Sequence, residues 1–196
     1  MKLQIVNLHE KHLPLVDVFS CLESNETLSK MNAKNRRRVI KHSKELDDFL
    51  KHEALNEQRK GLNSTHLFID TEQNRIVGYV SLCTDGIRLE YSEQKSLNMR
   101  YCIVPAIKIA RLAVSNKYQN LGIGSKLIDF SVFIANEINK QAGVTFLTLD
   151  CYEHRVSYYQ SKGFKRNMIQ LTKLSYDSPI SMRLSLANYL HHIAKQ

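Results

Sequence analysis

The sequence predicts an α/β (α+β) chain built on a single mixed, mostly antiparallel sheet flanked by helices. Three observations predict it. His66-Leu-Phe-Ile-Asp70 and Arg75-Ile-Val-Gly-Tyr-Val-Ser-Leu-Cys83 are apolar runs joined by the turn Thr71-Glu-Gln-Asn74, the signature of a hairpin. Ile107 to Val114, Gly124 to about Lys140 and Val144 to Leu149 follow as strand, helix and strand. Ser29 to about Arg59 is polar, helical in period and poor in breakers.

Lys2-Leu-Gln-Ile-Val-Asn7 alternates weakly and opens the chain as a strand, and Glu10 to Phe19 follows as a short helix. Leu46, Phe49, Leu50, Ala54 and Leu55 recur at helical spacing and form one apolar stripe, stopped by Gly61-Leu-Asn-Ser. Asp85 to Arg100 reads as an extended piece followed by a polar loop. Leu127, Ile128, Ser131, Ile134, Ala135 and Ile138 share one face of the helix from Gly124. His154 to Ser161 is a short helix ended at Gly163. Two more extended runs are expected near Asn167 to Leu174 and Ser181 to Leu186, and a last helix at Ala187 to Ala194. The order suits one domain over residues 1–196, divided into a helix-rich front (1–62), a central part (66–174) and a closing strand and helix (175–196).

At 196 residues and 43% hydrophobic the chain can bury a core. No apolar stretch approaches the roughly 20 residues of a membrane span. Met1 to Val6 lacks the apolar centre and cleavage site of a secretory signal, so a soluble cytoplasmic protein without membrane partners is expected. Cys21, Cys83, Cys102 and Cys151 are scattered, which points to buried thiols and to no metal site. The charge is formally +9, from 28 Lys+Arg against 19 Asp+Glu. Lys34 to Lys44 holds six basic residues and no acidic one. That block is either a solvated helix face or a surface for phosphates, nucleic acid such as tRNA, or an acidic partner. No aromatic residue interleaves it, so base stacking is not indicated.

The run Gln119-Asn-Leu-Gly122-Ile-Gly124-Ser-Lys-Leu127 joins a strand to a helix. A helix that opens on small residues presents unpaired N–H groups and the positive end of its dipole, a phosphate site made of backbone. The spacing excludes a P-loop, which needs G-x-x-x-x-G-K-[ST]. A dinucleotide loop fits poorly, because Leu127 stands at the third glycine position and seven residues separate Val114 from Gly122. Asp150 mimics that motif's ribose-binding acid, but too little chain follows Ile107 to complete such a fold. The pattern Q/R-x-x-G-x-G/A fits at every specified position. Arg111-Leu-Ala-Val114 precedes it and Tyr159-Gln-Ser-Lys-Gly163-Phe164 follows the next strand.

In these three linked elements the chain resembles the GNAT (GCN5-related) N-acetyltransferases, over residues 66–174 well and over the first sixty poorly. The resemblance implies the GNAT-like acyl-CoA N-acyltransferase fold, with acetyl-CoA as cosubstrate and an amine as acceptor, joined by direct attack in a ternary complex. It makes the central part the CoA-binding core and the front the acceptor side. It implies that the backbone of Leu112, Ala113 and Val114 binds the pantetheine amides. The N–H groups of Asn120, Leu121, Gly122, Ile123, Gly124 and Ser125 would hold the pyrophosphate, with Gln119 at the entrance and Lys126 adding charge. Tyr159 would protonate the departing thiolate, as a phenol of pKa about 10 can at neutral pH. The Val114 N–H would stabilise the oxyanion.

Some positions depart from the family pattern. Tyr152 stands where many members have an asparagine that touches the pantetheine, and Arg155 replaces a frequent small residue and could reach the CoA phosphates. No carboxylate lies on Ile107 to Val114; Asp85, Glu90, Asp150 and His154 are the alternatives for a general base, beside a water relay or an amine that arrives neutral. The layout of the front is similar to the family branch that includes acetylating toxins of aminoacyl-tRNA, and the basic block suits such a substrate. A non-catalytic relative that binds nucleic acid or a protein partner is the other alternative, and a homodimer is compatible with the sequence.

Overall fold

A computed structural model describes residues 1–170, 178–187 and 189. In chain order its elements are β1 (Leu3–Asn7), a 3-10 turn (Glu10–His12), α1 (Leu13–Asp17), α2 (Asn25–Ser29), α3 (Ala33–Asp48), a π turn (Phe49–Glu53), α4 (Ala54–Arg59), β2 (Ser64–Asp70), β3 (Arg75–Arg88), α5 (Tyr91–Ser96), β4 (Ile103–Val114), a 3-10 turn (Asn116–Tyr118), α6 (Ile123–Asn139), β5 (Phe146–Cys151), α7 (Glu153–Ser161), β6 (Lys165–Arg166) and β7 (Ile180–Ser185). The strands form one mixed sheet in the order β1-β2-β3-β4-β5-β7-β6. β1–β2, β2–β3, β5–β7 and β6–β7 pair antiparallel, while β4–β5 is parallel. The mixed, mostly antiparallel α/β fold expected from the sequence is the fold observed.

The chain divides into two compact units. The first comprises Met1–Leu82 and Arg111–Ile128. Its core joins Leu8, Val16 and Phe19 to Phe49, Leu50 and Ala54, and to Leu67, Ile76, Tyr79 and Ala113. The second comprises Cys83–Ala110 and the described residues from Asp129 onward; Ile87, Leu89, Val104, Ala106 and Phe146 form one of its clusters. β4 passes through both units. Its pairing to β5 runs from Ala106↔Phe146 to Ile109↔Leu149, and its last four residues, Arg111 to Val114, belong to the first unit.

The long polar helix expected at 29–59 is broken. Ser24 caps α2 by accepting the Thr27 N–H, and Asn32 caps α3 by accepting the Asn35 N–H at 2.8 Å. The π turn then adds one residue per turn, and the stripe from Phe49 to Ala54 stays against the core despite it. The Leu46 carbonyl accepts a 2.7 Å hydrogen bond from the hydroxyl of Tyr79, which is 0% exposed.

Glu10 to Phe19 forms a 3-10 turn leading into α1, with Pro14 where a helix start tolerates it. β3 continues to Arg88, matching the extended piece expected from Asp85, and the polar loop expected after it contains α5 before β4 begins at Ile103. There Glu90 and Glu93 form a capping box around α5. β6 lies at Lys165–Arg166, just before the run expected at 167–174; Asn167 to Gln170 are not strand, and residues 171–174 lie outside the described residues. Of the closing helix expected at Ala187 to Ala194, residues 188 and 190–194 lie outside them as well. Among the described residues no helix is long and apolar enough to cross a membrane.

Candidate active site

In the first unit, β4 ends at Val114 and the chain turns through Asn116–Tyr118. Gln119 is extended, Asn120 takes φ +62° and Gly122 φ +77°, and α6 starts at Ile123. Two left-handed residues within three positions swing the chain sharply into the helix. The N–H groups of Ser125 and Lys126 both reach the Gly122 carbonyl, at 3.1 and 3.3 Å. The amides at the very start of α6 have no acceptor within the helix. Leu121 is 60% exposed and Lys126 is exposed, while Ile123 and Leu127 are buried. The loop is thus anchored by alternate apolar residues and open on its outer side, and a Cβ at Gly122 would meet nothing within 4 Å.

Leu112, Ala113 and Val114 form the end of β4, with only Ala113 fully buried. β3 comes close here: a Cβ on Gly78 would lie 2.9 Å from the Ala113 carbonyl oxygen, 3.1 Å from Leu127 Cδ1 and 3.3 Å from Ile123 Cγ2. Glycine at position 78 lets strand and helix start pack at that distance. The side chain of Gln119 points inward to backbone. Its Nε2 donates to the Cys21 carbonyl at 2.9 Å and to the Val114 carbonyl at 3.4 Å. Tyr118 donates its hydroxyl to buried Asp70 at 3.4 Å, and the Asn116 N–H reaches the Ser20 carbonyl at 2.9 Å. These supports come from residues far away in sequence, and no local pattern signals them.

In the second unit, α7 carries Tyr159. Val156 buries the inner face of the helix, and Gly163 (φ +87°) ends it, its N–H on the Gln160 carbonyl at 2.9 Å. The Tyr159 ring meets Phe164 edge-on at 5.7 Å and Tyr158 at 5.2 Å. Burial pushes its phenol above the ordinary tyrosine value; Cys151 and Tyr158 push the same way and Arg155 opposes them. The group therefore stays protonated throughout the neutral range. Tyr152 is the residue at the start of α7, stacked on His154 with rings 5° from parallel.

The candidate bases are engaged elsewhere. Asp85 accepts the Thr148 hydroxyl at 2.6 Å, Asp150 pairs with Lys108 at 2.6 Å, and Glu90 caps α5. Cys21 and Cys151 are buried as expected, but Cys83 is half-buried and Cys102 exposed. Burial pushes the Cys151 thiol up to about 12, so it is no ready nucleophile. Along α3, Lys34, Arg37, Lys41 and Lys44 are exposed at steps of three and four, which puts them on one face. Arg36 points away from that row and donates to the Leu28 carbonyl at 3.0 Å.

In the first unit a strand, a loop with two left-handed residues and a helix start therefore follow one another directly. Residues 63–166 match the family described as the acetyltransferase (GNAT) domain, and the chain belongs to that family. It is an acetyl-CoA-dependent N-acetyltransferase, the class and cosubstrate expected from the sequence.

Three solved structures share its fold over nearly the whole chain. A bacterial toxin aligns with TM-score 0.74 at 14% identity, covering 100% of this chain and 97% of its own. AtaT complexed with acetyl-methionyl-tRNAfMet aligns at 0.73 and 16% identity, covering 98% and 99%. AtaTR bound with AcCoA aligns at 0.70 and 17% identity, covering 97% and 98%. At such identities the likeness is one of fold.

Proposed function

We propose that the protein moves the acetyl group of acetyl-CoA to a primary amine by direct attack in a ternary complex. One observation carries the reading: α6 opens on left-handed Asn120 and Gly122, and among the described residues nothing lies within 4 Å of where a Gly122 Cβ would stand. The amides from Asn120 to Gly124 hold the pyrophosphate there, where the helix dipole favours negative charge, and the Ser125 N–H, which would be the next, is held by the Gly122 carbonyl at 3.1 Å. Lys126, exposed one residue further on, adds charge, and the inward side chain of Gln119 holds the loop at its entrance. The backbone of Leu112, Ala113 and Val114 receives the pantetheine amides.

The amine attacks the thioester carbonyl carbon, and the Val114 N–H takes the charge that grows on the oxygen. The C–S bond breaks with its electron pair on sulfur, and Tyr159 gives sulfur a proton. Its raised pKa keeps that proton available. The nitrogen releases its own proton to water: Asp85, Glu90 and Asp150 already have partners, and His154 is stacked on Tyr152. The test is thermal: saturating acetyl-CoA raises the melting temperature, whereas NAD and ATP do not. Absence of that shift overturns the reading.

The row of Lys34, Arg37, Lys41 and Lys44 favours a second, narrower reading in which the amine belongs to aminoacyl-tRNA. Four cations on one exposed helix face suit a phosphate backbone. The similarity to AtaT, a protein solved with acetyl-methionyl-tRNAfMet, lends support. A screen with labelled donor against polyamines, amino acids, peptides and charged tRNA separates the two.

A further inference from the structure

The phosphate loop is held by a main-chain connector that no motif contains. The peptide at Cys21 is hydrogen-bonded from both sides. Its carbonyl accepts from Gln119 Nε2 at 2.9 Å, and its N–H donates to Asp47 Oδ1 at 2.9 Å. Cys21 is 6% exposed, and its thiol donates to the Ser43 carbonyl at 3.4 Å, one helical turn before Asp47. One residue earlier, the Ser20 carbonyl accepts the Asn116 N–H at 2.9 Å. Residues 20 and 21 are therefore pinned between α3 and the start of the loop.

The α3 end of this connection is itself rigid. The Tyr79 hydroxyl bonds the Leu46 carbonyl at 2.7 Å, next to Asp47. The Phe49 and Tyr79 rings stack at 6.3 Å, and the Arg111 guanidinium lies 5.0 Å from the Phe49 ring centre. Gln119 thus anchors to a carbonyl whose position α3 dictates. Its side chain precedes left-handed Asn120 by one residue, so a shift at Gln119 changes where the loop amides point.

We infer that Asp47 is a positioning residue for the CoA loop, acting through the Cys21 peptide on Gln119. The inference rests on the reading of residues 120–124 as the pyrophosphate site. Asp47 lies on α3, outside the loop, and reaches it through Cys21 and Gln119, so its loss acts on the part of acetyl-CoA that the loop holds. Acetyl-CoA carries the pyrophosphate; S-acetylpantetheine carries the thioester and both amides without it.

The experiment measures dissociation constants of both probes for the full chain and for Asp47→Ala, Asp47→Asn and Gln119→Leu. Asp47→Ala and Gln119→Leu weaken acetyl-CoA binding about tenfold, the scale of one lost buried hydrogen bond. S-acetylpantetheine binding does not change in Asp47→Ala. Asp47→Asn keeps an acceptor oxygen and binds acetyl-CoA as the unaltered chain does. An unchanged acetyl-CoA affinity in Asp47→Ala, an equal loss for both probes, or failure of Asp47→Asn to restore binding overturns the inference. Gln119→Leu keeps it open to refutation should Asp47→Ala not fold. If the unaltered chain binds acetyl-CoA no better than S-acetylpantetheine, the pyrophosphate reading itself is wrong and the brace falls with it.

Discussion

Tyr159 and His12 show how burial sets chemistry at single residues. Burial raises the Tyr159 phenol above its ordinary value, so its acid form persists throughout the neutral range. Tyr159→Phe keeps the ring contacts with Phe164 and Tyr158 and loses only the hydroxyl. It lowers turnover by about a hundredfold or more and leaves acetyl-CoA affinity unchanged, as steady-state rates and a binding titration check. Equal turnover in that variant removes the assignment.

At His12, burial lowers the pKa below the ordinary 6.5, with Lys11 and His9 adding to it. Nδ1 of His12 accepts the His9 N–H at 3.0 Å, which requires a neutral ring. His66 is lowered by burial as well. A depressed folded pKa contributes stability fully above 6.5 and loses it as pH falls through the folded value. The melting temperature therefore declines on acidification below pH 6.5. His12→Asn, which keeps an acceptor but no titrating group, declines less over the same range.

Elements explain why the loop from Gln119 to Gly124 sits where it does. β4 and the start of α6 approach β3 at Gly78, where a Cβ would press on the Ala113 carbonyl at 2.9 Å. Gly78→Ala overpacks this contact and lowers unfolding free energy by about 1–3 kcal/mol, measured by denaturant titration. Gly122 differs in kind: nothing lies within 4 Å, but its φ is +77°. Gly122→Ala costs about 1–2 kcal/mol of backbone strain and weakens acetyl-CoA binding by tilting the loop amides, which calorimetric titration reads. A Gly122→Ala variant that binds acetyl-CoA normally argues against amide recognition at that position.

For the whole molecule, net charge and its placement matter most. Of the excess of +9, four cations line one face of α3, a helix with no acid in its first turn. Positive charge near a helix start is unfavourable for the helix itself, and within the row Lys41 has Glu45 at 3.8 Å. If charged tRNA is the acceptor, its affinity falls with salt, and Lys34→Ala or Arg37→Ala lowers the log–log salt slope by about one each. Melting temperature does not fall, because these side chains are exposed and removing positive charge near the helix start favours the helix. Salt-independent tRNA binding refutes this substrate reading and leaves the acetyl donor site untouched.

The pattern of residues alone determined the fold class, the hairpin 66–83, the loop at Gln119–Gly124 and the helix that ends at Gly163. Each depends on periodicity, turn chemistry or glycine conformation, which act within a few neighbours. It also sufficed for the family, because the loop motif keeps its spacing to Arg111 and Tyr159.

Tertiary structure decided what depends on partners distant in sequence. The π turn at Phe49–Glu53 coexists with a buried stripe held against the first unit's core and with the Tyr79 hydroxyl on Leu46, 33 residues apart. The helix α5 starts on Glu90, a residue type seldom read as a cap, with Glu93 completing the box. Gln119 found its acceptor at Cys21, 98 residues earlier, and Cys21 found Asp47. Hydrogen bonds of that range form only once the chain has closed around its core, and so the supports of the donor loop had no local trace.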